Sequence, residues 1–317
     1  MSEFKAHPLV HSKISYVPAD ATKKSGKKTS ENVQVISSQP LSGIGKNIGE
    51  KFNMENLLYL YCITLKEPDL EKADLSDDIF CIRHNDIYAV ARLVSNDEFG
   101  ETNIEKNLSD MEWLIPGVKA HMNINNLIMK NMTIVPFKFG TIFKTEESLK
   151  EMLDEYTPQF IDNIHKLNNK EEWAVKIYCN MDILNKKVSE TSERIKQHDE
   201  EISCSGPGKA FLLKKKRDEL IACEANKIVN DFIKYCFDKF GSQSHEAVIN
   251  RLFTENANQH KYKMILNSAY LISQKNVNGF LDMIRVLKRE NCETGFEFDY
   301  SGPWPPFNFV NMKEVQK

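Results

Sequence analysis

The sequence predicts an α+β protein of two domains, and three observations support this class. First, 317 residues correspond to about two domains of roughly 100 to 200 residues each. Second, 41% of the residues are hydrophobic and 27% are charged, which is the usual mixture of globular proteins. Third, short strand-like runs alternate with long helical patterns in both halves of the chain. The composition excludes collagen-like, fully disordered and integral membrane proteins.

The first domain is predicted over residues 54–170, after a disordered arm over residues 1–53. The arm is rich in Ser, Lys, Thr, Gly and Asn, and its isolated apolar residues cannot bury enough surface to offset the chain entropy. Asn85-Asp86 separates two strand-like runs, and both residues tolerate the positive φ of a tight hairpin. The predicted elements are strands over 57–64, 79–84, 87–94 and 133–137, and helices over 109–132 and 145–167.

The second domain is predicted over residues 171–301, with the element order of the split βαβ, ferredoxin-like plan. Two helices with apolar residues at helical spacing meet at Gly206-Pro207-Gly208, which predicts a long helical hairpin inserted into that plan. Residues 302–317 are predicted to form a Pro- and aromatic-rich C-terminal tail. The predicted elements are a strand ending at 179, helices over 182–205 and 209–240, strands over 246–253 and 262–274, a helix capped by Asn276 and a strand over 296–300.

Cysteine content, charge and hydropathy predict a cytoplasmic protein. Seven cysteines lie far apart without a C-x-x-C pair, which indicates buried thiols in a reducing compartment and not a disulfide framework. The N-terminus lacks the apolar segment of a secretory signal, and the apolar runs are much shorter than the roughly 20 residues of a membrane helix. A net charge of −3 requires neither nucleic acid nor a lipid membrane as a partner.

The motifs predict no enzyme, no metal and no cofactor. Ser205-Gly206-Pro207-Gly208-Lys209 suggests a phosphate loop, but Ser203 and Ala210 stand where that motif needs Gly and Ser or Thr. A helix-breaking turn is therefore the favoured interpretation. The eight histidines are dispersed, and His121 among apolar helical residues is more typical of a hydrogen-bonded packing or surface histidine than of a metal ligand.

The densest basic cluster after the arm is Lys214-Lys215-Lys216-Arg217. Four consecutive residues point to all sides of a helix, so they cannot all face one phosphate backbone. Acidic residues nearby, such as Glu219 and Glu224, dilute the positive field further. A solvated helix surface is favoured over contact with an acidic partner.

Two segments are unusually aromatic for loops. Residues 135–143 contain Phe137 and Phe139, and residues 302–309 contain Trp304, Phe307 and Phe309. Three prolines in the second segment restrict the backbone and hold the aromatic side chains in fixed directions. Such rigid aromatic residues are typical recognition anchors, so these five are predicted as candidate partner contacts. The alternative is that they cover a sheet edge and complete the core.

Several segments resemble the gas vesicle protein F/L family, in order and with family-like spacing over residues 56–310. Met122 departs from the pattern, which has an acid after the histidine. The resembling segments are 59–64, Glu112-Trp113-Leu114 leading to His121, VPFKFGTIF at 135–143, Glu172-Trp173 with Val175-Lys176, 206–216, 266–271 and SGPWPPFNFV at 301–310.

The resemblance implies a gas vesicle accessory protein with a modified ferredoxin-like C-terminal domain. Such a minor component of the gas vesicle binds the hydrophobic major shell protein, of the gas vesicle protein A type, and prevents its aggregation during nucleation and assembly. Other gas vesicle accessory proteins are further implied partners, and no catalytic, metal or cofactor-binding residues come with the family. The alternative is an enzyme or nucleotide-binding protein, because the ferredoxin-like scaffold hosts unrelated functions.

Overall fold

The computed structural model describes residues 56–73, 75–76, 78–252 and 261–313. The arm predicted over 1–53 and the end of the strand predicted over 246–253 lie outside the described residues. The chain divides into two compact units, one up to His165 and again from Asn311 onward, and one from Lys166 to Val310.

Within the described residues, eight helices and two antiparallel sheets make the chain α+β, as predicted. A short 3-10 turn, Gln274–Asn276, precedes the last helix. In chain order the elements are β1 (Asn56–Thr64), β2 (Ile79–His84), β3 (Ile87–Ser95), α1 (Asn96–Phe99), α2 (Glu101–Leu108), α3 (Met111–Met129), β4 (Val135–Pro136), β5 (Ile142–Phe143), α4 (Glu146–Leu167), β6 (Lys170–Cys179), α5 (Met181–Thr191), α6 (Glu193–Ser203), α7 (Pro207–Gly241), β7 (Glu246–Ile249), β8 (Lys263–Ser273), α8 (Val277–Glu290) and β9 (Phe296–Trp304).

The sheet of the first unit has the order β2-β3-β1-β4, and β5 also pairs with β1. The predicted hairpin is confirmed, since His84 pairs with Ile87 and Asn85 has a φ of 51°. β1 is buried along almost its whole length, as its continuous apolar run predicts for a central strand. β5 was not predicted, because its two residues are too few to show a strand period.

The helix predicted over 109–132 is α3, and Asp110 caps it by accepting a hydrogen bond from the backbone N–H of Glu112. Pro116 lies inside this helix, near its start. Two short helices, α1 and α2, precede it and were not predicted. α1 begins where the Ser95 side chain accepts from the N–H of Asp97, and four residues are too few for a helical period.

The sheet of the second unit has the order β7-β8-β6-β9. In chain order, the first and third strands of this unit (β6 and β8) are therefore central, and the second and fourth (β7 and β9) are at the edges. Helices α5 to α7 connect the first strand to the second, and α8 connects the third to the fourth. The main core lies between this sheet and the helices; among its fully buried side chains are Tyr270, Phe280 and Ile284.

The helical hairpin of the second unit is formed by α6 and α7, and the predicted turn between them is confirmed. Gly206 caps α7 and Pro207 opens it, which suits proline because the first helical N–H groups have no intrahelical partner. α7 has 35 residues and is therefore roughly 52 Å long at 1.5 Å per residue. The single helix predicted before the turn is two helices, because the Ser192 side chain caps a new start by accepting from the N–H of Ile195.

Candidate functional site

An open cavity of about 270 Å³ lies in the first unit, beside the start of helix α3. Two buried tyrosines of β1 line its inner part, α1 and α3 line its sides, and the loop between β4 and β5 contributes Phe139. All of the lining side chains belong to the first unit. They are Tyr59, Tyr61, Arg92, Glu98, Phe99, Glu112, Trp113, Pro116, Gly117, Ala120, His121 and Phe139.

A chain of hydrogen bonds holds the inner part of this cavity together. The N–H of Gly140 donates to the Tyr59 hydroxyl (3.2 Å), which in turn contacts Nδ1 of His121 (2.8 Å). Nε2 of His121 lies 2.9 Å from the carbonyl oxygen of Phe137. Because a carbonyl oxygen can only accept, Nε2 carries the proton and Nδ1 accepts the proton of Tyr59. β1, α3 and the β4–β5 loop are thereby fixed to one another.

Burial keeps both members of this tyrosine–histidine pair neutral. Desolvation lowers the pKa of His121 to about 4; the hydrogen bond to Phe137 acts in the opposite direction, and the charge of Arg92 lowers the pKa further. Desolvation also raises the pKa of Tyr59 well above its usual value. His121 is only 2% exposed, which confirms the prediction of a hydrogen-bonded packing histidine.

Arg92 of β3 is the cation nearest to this pair. Its Cζ lies 5.6 Å from the centroid of the Tyr59 ring, within the range of a cation–π contact, and Nη1 lies 3.8 Å from Oδ2 of Asp78. Its Nε–H is buried and has no acceptor among the described residues. A buried donor without an acceptor is unfavourable, and Arg92 is also one of the residues that line the cavity.

The outer part of the cavity combines aromatic and acidic side chains. The indole N–H of Trp113 donates to Oε1 of Glu98 (2.7 Å), and the Trp113 ring meets Phe139 edge to face with the centroids 5.7 Å apart. Gly117 permits this packing, because a Cβ atom there would lie 2.8 Å from Cζ of Phe139. Glu112 is exposed on the same helix. The cavity therefore has aromatic walls, buried polar groups in its inner part and carboxylates at its mouth.

Of the two predicted contacts in the β4–β5 loop, the structure brings one into the cavity. Phe139 is half-buried and lines it. Phe137 is also half-buried, but its ring packs against Phe160 of α4, with the centroids 5.9 Å apart. Its backbone carbonyl, and not its side chain, contributes to the cavity by holding His121.

The three predicted contacts near the C-terminus lie in the second unit. Trp304 is the last residue of β9, so residues 302–304 of the predicted tail belong to the sheet. Trp304 and Phe307 are half-buried. Phe309 is 1% exposed and packs against Leu167 and Leu271. As a partner contact Phe309 is corrected to a core residue, because it covers the side chains of β8 that alternate with those facing the helices.

The buried carboxyl group of Glu172 anchors the segment before Phe309. Glu172 of β6 is fully buried; its Oε2 accepts the backbone N–H of Asn308 (3.0 Å) and its Oε1 accepts the side-chain amide of Asn308 (2.6 Å). Burial raises the pKa of Glu172 to about 8, because desolvation disfavours the carboxylate more strongly than the two Asn308 donors favour it. Glu172 thus ties the C-terminal segment to the central strand.

The last described residues, 311–313, run along helix α4 of the first unit. Asn163 exchanges two hydrogen bonds with the backbone of Asn311 (2.9 and 2.8 Å), and Gln159 does the same with the backbone of Lys313 (3.0 and 2.7 Å). Two amide side chains therefore satisfy this extended backbone in the way that a neighbouring strand would.

Sequence reasoning missed Tyr59, Trp113 and His121 as parts of one site. These residues are far apart in the chain, and each was significant only as part of a resembling segment. The available signal was that the segments 59–64, 112–121 and 135–143 all carry aromatic residues. The structure brings these three segments together around the cavity.

Two classes of site are absent from the part of the chain that the structure describes. In these ranges no three His, Cys, Asp or Glu side chains are grouped so that they could hold a metal ion. No described helix is both long enough and apolar enough to cross a membrane.

The family of the chain follows from comparison with known sequences. The model of the family described as Gas vesicle synthesis protein GvpL/GvpF matches residues 57–311. The chain belongs to this family. It is similar to gas vesicle protein L of a Streptomyces species (19% identity, covering 74% of this chain and 83% of the relative) and to gas vesicle protein F1 of Halobacterium salinarum (22%, 82% and 95%). Membership in the GvpL/GvpF family gives the chain an accessory role in gas vesicle formation.

Solved structures of GvpF proteins share its fold. The crystal structure of GvpF from Anabaena sp. PCC7120 matches with a TM-score of 0.60 and 18% identity, covering 83% of this chain and 99% of that protein. GvpF from Microcystis aeruginosa matches with a TM-score of 0.56 and 19% identity, covering 81% and 99%. The aromatic segments that suggested the family therefore occur in a chain with the family's α+β architecture.

Proposed function

We propose that the chain binds the hydrophobic major shell protein of gas vesicles and prevents its aggregation during nucleation and assembly. We place the contact at the cavity of the first unit. The observation that carries this placement is an open cavity with aromatic walls, which include Trp113 of α3 and Phe139 of the β4–β5 loop. Membership in the GvpL/GvpF family supports the vesicle role.

The physical reasoning starts from the shell subunit. A subunit with an apolar gas-facing side associates prematurely with its copies unless another protein covers that side. Aromatic walls gain free energy by covering apolar surface. The cavity therefore suits an apolar side chain of a polypeptide segment as the occupant.

The same proposal covers the partners, the location and the second unit. Other gas vesicle accessory proteins are further partners, and the chain acts in the cytoplasm and on the vesicle. We also describe the second unit as a modified ferredoxin-like domain with a helical hairpin insertion. Its strand order, β7-β8-β6-β9, supports this description, because the split βαβ plan requires the third strand of the unit (β8) to lie between the first (β6) and the second (β7). We favour a binder over an enzyme or nucleotide-binding protein.

The test measures retention and aggregation of shell protein. Tagged chain is co-expressed with shell protein, and light scattering is followed when denatured shell protein is diluted into the purified chain. Ala120→Glu places a charge at an exposed position that lines the cavity, so both retention and suppression of scattering should fall by at least about tenfold. Tyr235→Glu, at a 49% exposed side chain of α7, is the matched control and should behave as wild type.

A third variant locates the surface. Trp304→Ala with Phe307→Ala removes the two half-buried aromatic side chains of the second unit. If only this folded variant loses shell protein, the cavity is not the contact. If the wild-type chain neither retains shell protein nor lowers its scattering, the proposed function is wrong.

A further inference from the structure

The first turns of α7 carry the most exposed large apolar side chains in the described chain. Phe211 is 72% exposed and Leu212 is 67% exposed. No atom lies within 4 Å of a Cβ position at Gly206 or Gly208, so this region, called the tip (residues 206–217), is open on that side. Two large apolar side chains at an open helix start are unfavourable in water unless a partner covers them.

The apolar side chains of the tip share their surface with lysines. Phe211 precedes Lys215 by four residues and Leu212 precedes Lys216 by four, and residues at this spacing are neighbours on a helix. All four are exposed. The next acids along this stretch are Asp218, whose Oδ1 lies 3.8 Å from Nη1 of Arg217, and Glu219.

In the part of the chain that the structure describes, Lys214, Lys215 and Lys216 take no part in the ion pairs of the hairpin formed by α6 and α7. Arg217 turns toward α6, where Nη2 donates to Oδ2 of Asp199 (3.0 Å), and Lys209 pairs with Glu201 (3.2 Å). Lys214, Lys215 and Lys216 make no ion pair within 4.0 Å among the described residues. The basic cluster at 214–217 therefore has two parts. Arg217 pairs with Asp199 of α6, and the three lysines remain beside Phe211 and Leu212 on the surface of α7.

The cavity of the first unit is complementary to this tip. Its mouth carries the exposed carboxylates of Glu98 and Glu112, its walls include Trp113 and Phe139, and Arg92 is the one cation among its lining residues. A dry cavity of about 150 Å³ in another protein takes up a benzene molecule. A cavity of about 270 Å³ therefore has room for a phenylalanine ring.

We propose that the tip of one copy of this chain docks into the cavity of a second copy, with Phe211 in the cavity and the tip lysines beside Glu98 and Glu112. Because the two surfaces differ, this contact is heterologous and produces chains or rings of copies instead of a symmetric dimer. The shell protein competes for the same cavity if the proposed function is correct. The test below uses the chain alone, so its outcome does not depend on shell binding.

Two variants, called the single-sided variants, each remove one of the two surfaces of the contact. Phe211→Ser with Leu212→Ser removes the apolar tip and leaves the cavity intact. Ala120→Trp places a large side chain at an exposed position that lines the cavity, and leaves the tip intact. Ile228→Ser with Tyr235→Ser, at exposed positions further along α7, is the matched control.

Sedimentation velocity over a range of concentrations measures the association. Wild type and the control should form concentration-dependent oligomers, and each single-sided variant should weaken association by at least about tenfold. An equimolar mixture of the two single-sided variants should form a 1:1 dimer that grows no further, because one intact tip and one intact cavity remain. Raising the salt concentration should weaken every association, since the charges at the mouth are exposed.

Two results would overturn the proposal. The first is a wild-type chain that stays monomeric at all concentrations. The second is a pair of folded single-sided variants that associate as strongly as wild type, or that give no dimer when mixed. Circular dichroism of each variant separates a lost contact from a lost fold.

Discussion

The buried carboxyl group of Glu172 should make stability fall as the pH rises. In the folded chain its pKa is raised from 4.5 to about 8, mainly because burial disfavours the charged form. The folded state therefore keeps a proton that the unfolded state releases, and its contribution is fully present below pH 4.5 and is lost as the pH rises through 8. At 1.36 kcal/mol for each tenfold change in proton affinity, the loss between pH 5 and pH 9 is about 4 kcal/mol.

Urea unfolding of wild type and Glu172→Gln at several pH values measures this loss. The glutamine does not titrate and can still bond to Asn308, so the stability of wild type relative to the variant should fall by about 4 kcal/mol from pH 5 to pH 9 and stay level above pH 9. His121 is common to both chains and cancels. Glu297→Gln, at an exposed residue of β9, is the matched control for the loss of one glutamate carboxyl group. A constant difference for Glu172→Gln, or one that favours wild type as the pH rises, would refute a buried neutral carboxyl.

Three further outcomes follow from the described contacts. Tyr59→Phe leaves Nδ1 of His121 and the N–H of Gly140 without their partner and should cost about 1–3 kcal/mol in urea unfolding. Gly117→Ala forces the Phe139 ring to move and should cost about 1–3 kcal/mol while changing the fluorescence of the adjacent Trp113. A thiol reagent should modify three exposed cysteines quickly and reach the others only on unfolding, since burial raises the pKa of those thiols; the fast set is Cys204, Cys223 and Cys292, and the slow set is Cys62, Cys81, Cys179 and Cys236.

The long elements were predictable because their patterns span several periods. The run over 57–64, the hairpin at Asn85-Asp86 and the helix after Asn276 all appear where the sequence predicts them. Short elements were not: α1 has four residues, and β5 has two and is defined by its pairing with β1, which no local pattern reveals. The break at Ser192 depends on one side-chain cap inside a continuous helical pattern.

The candidate site was less predictable than the fold, because it depends on which segments meet. Aromatic content selected Phe139 as a candidate partner contact, and the structure places it half-buried in the cavity wall; the same criterion selected Phe309, which the structure buries. Composition cannot separate these cases. The difference is set by Glu172, whose carboxyl group fixes Asn308 and thereby places the next side chain in the core.

His121 and Tyr59 of the cavity are not suited to act as a general acid or base. A general acid or base must reach its substrate and have a pKa near the working pH. His121 is 2% exposed, has a pKa of about 4 and uses both ring nitrogens in hydrogen bonds, and Tyr59 is 1% exposed with a raised pKa. These two groups fix the loop that carries Phe139. The aromatic wall is therefore formed before a partner arrives, which lowers the entropy lost on binding and concentrates the available free energy on the contact itself.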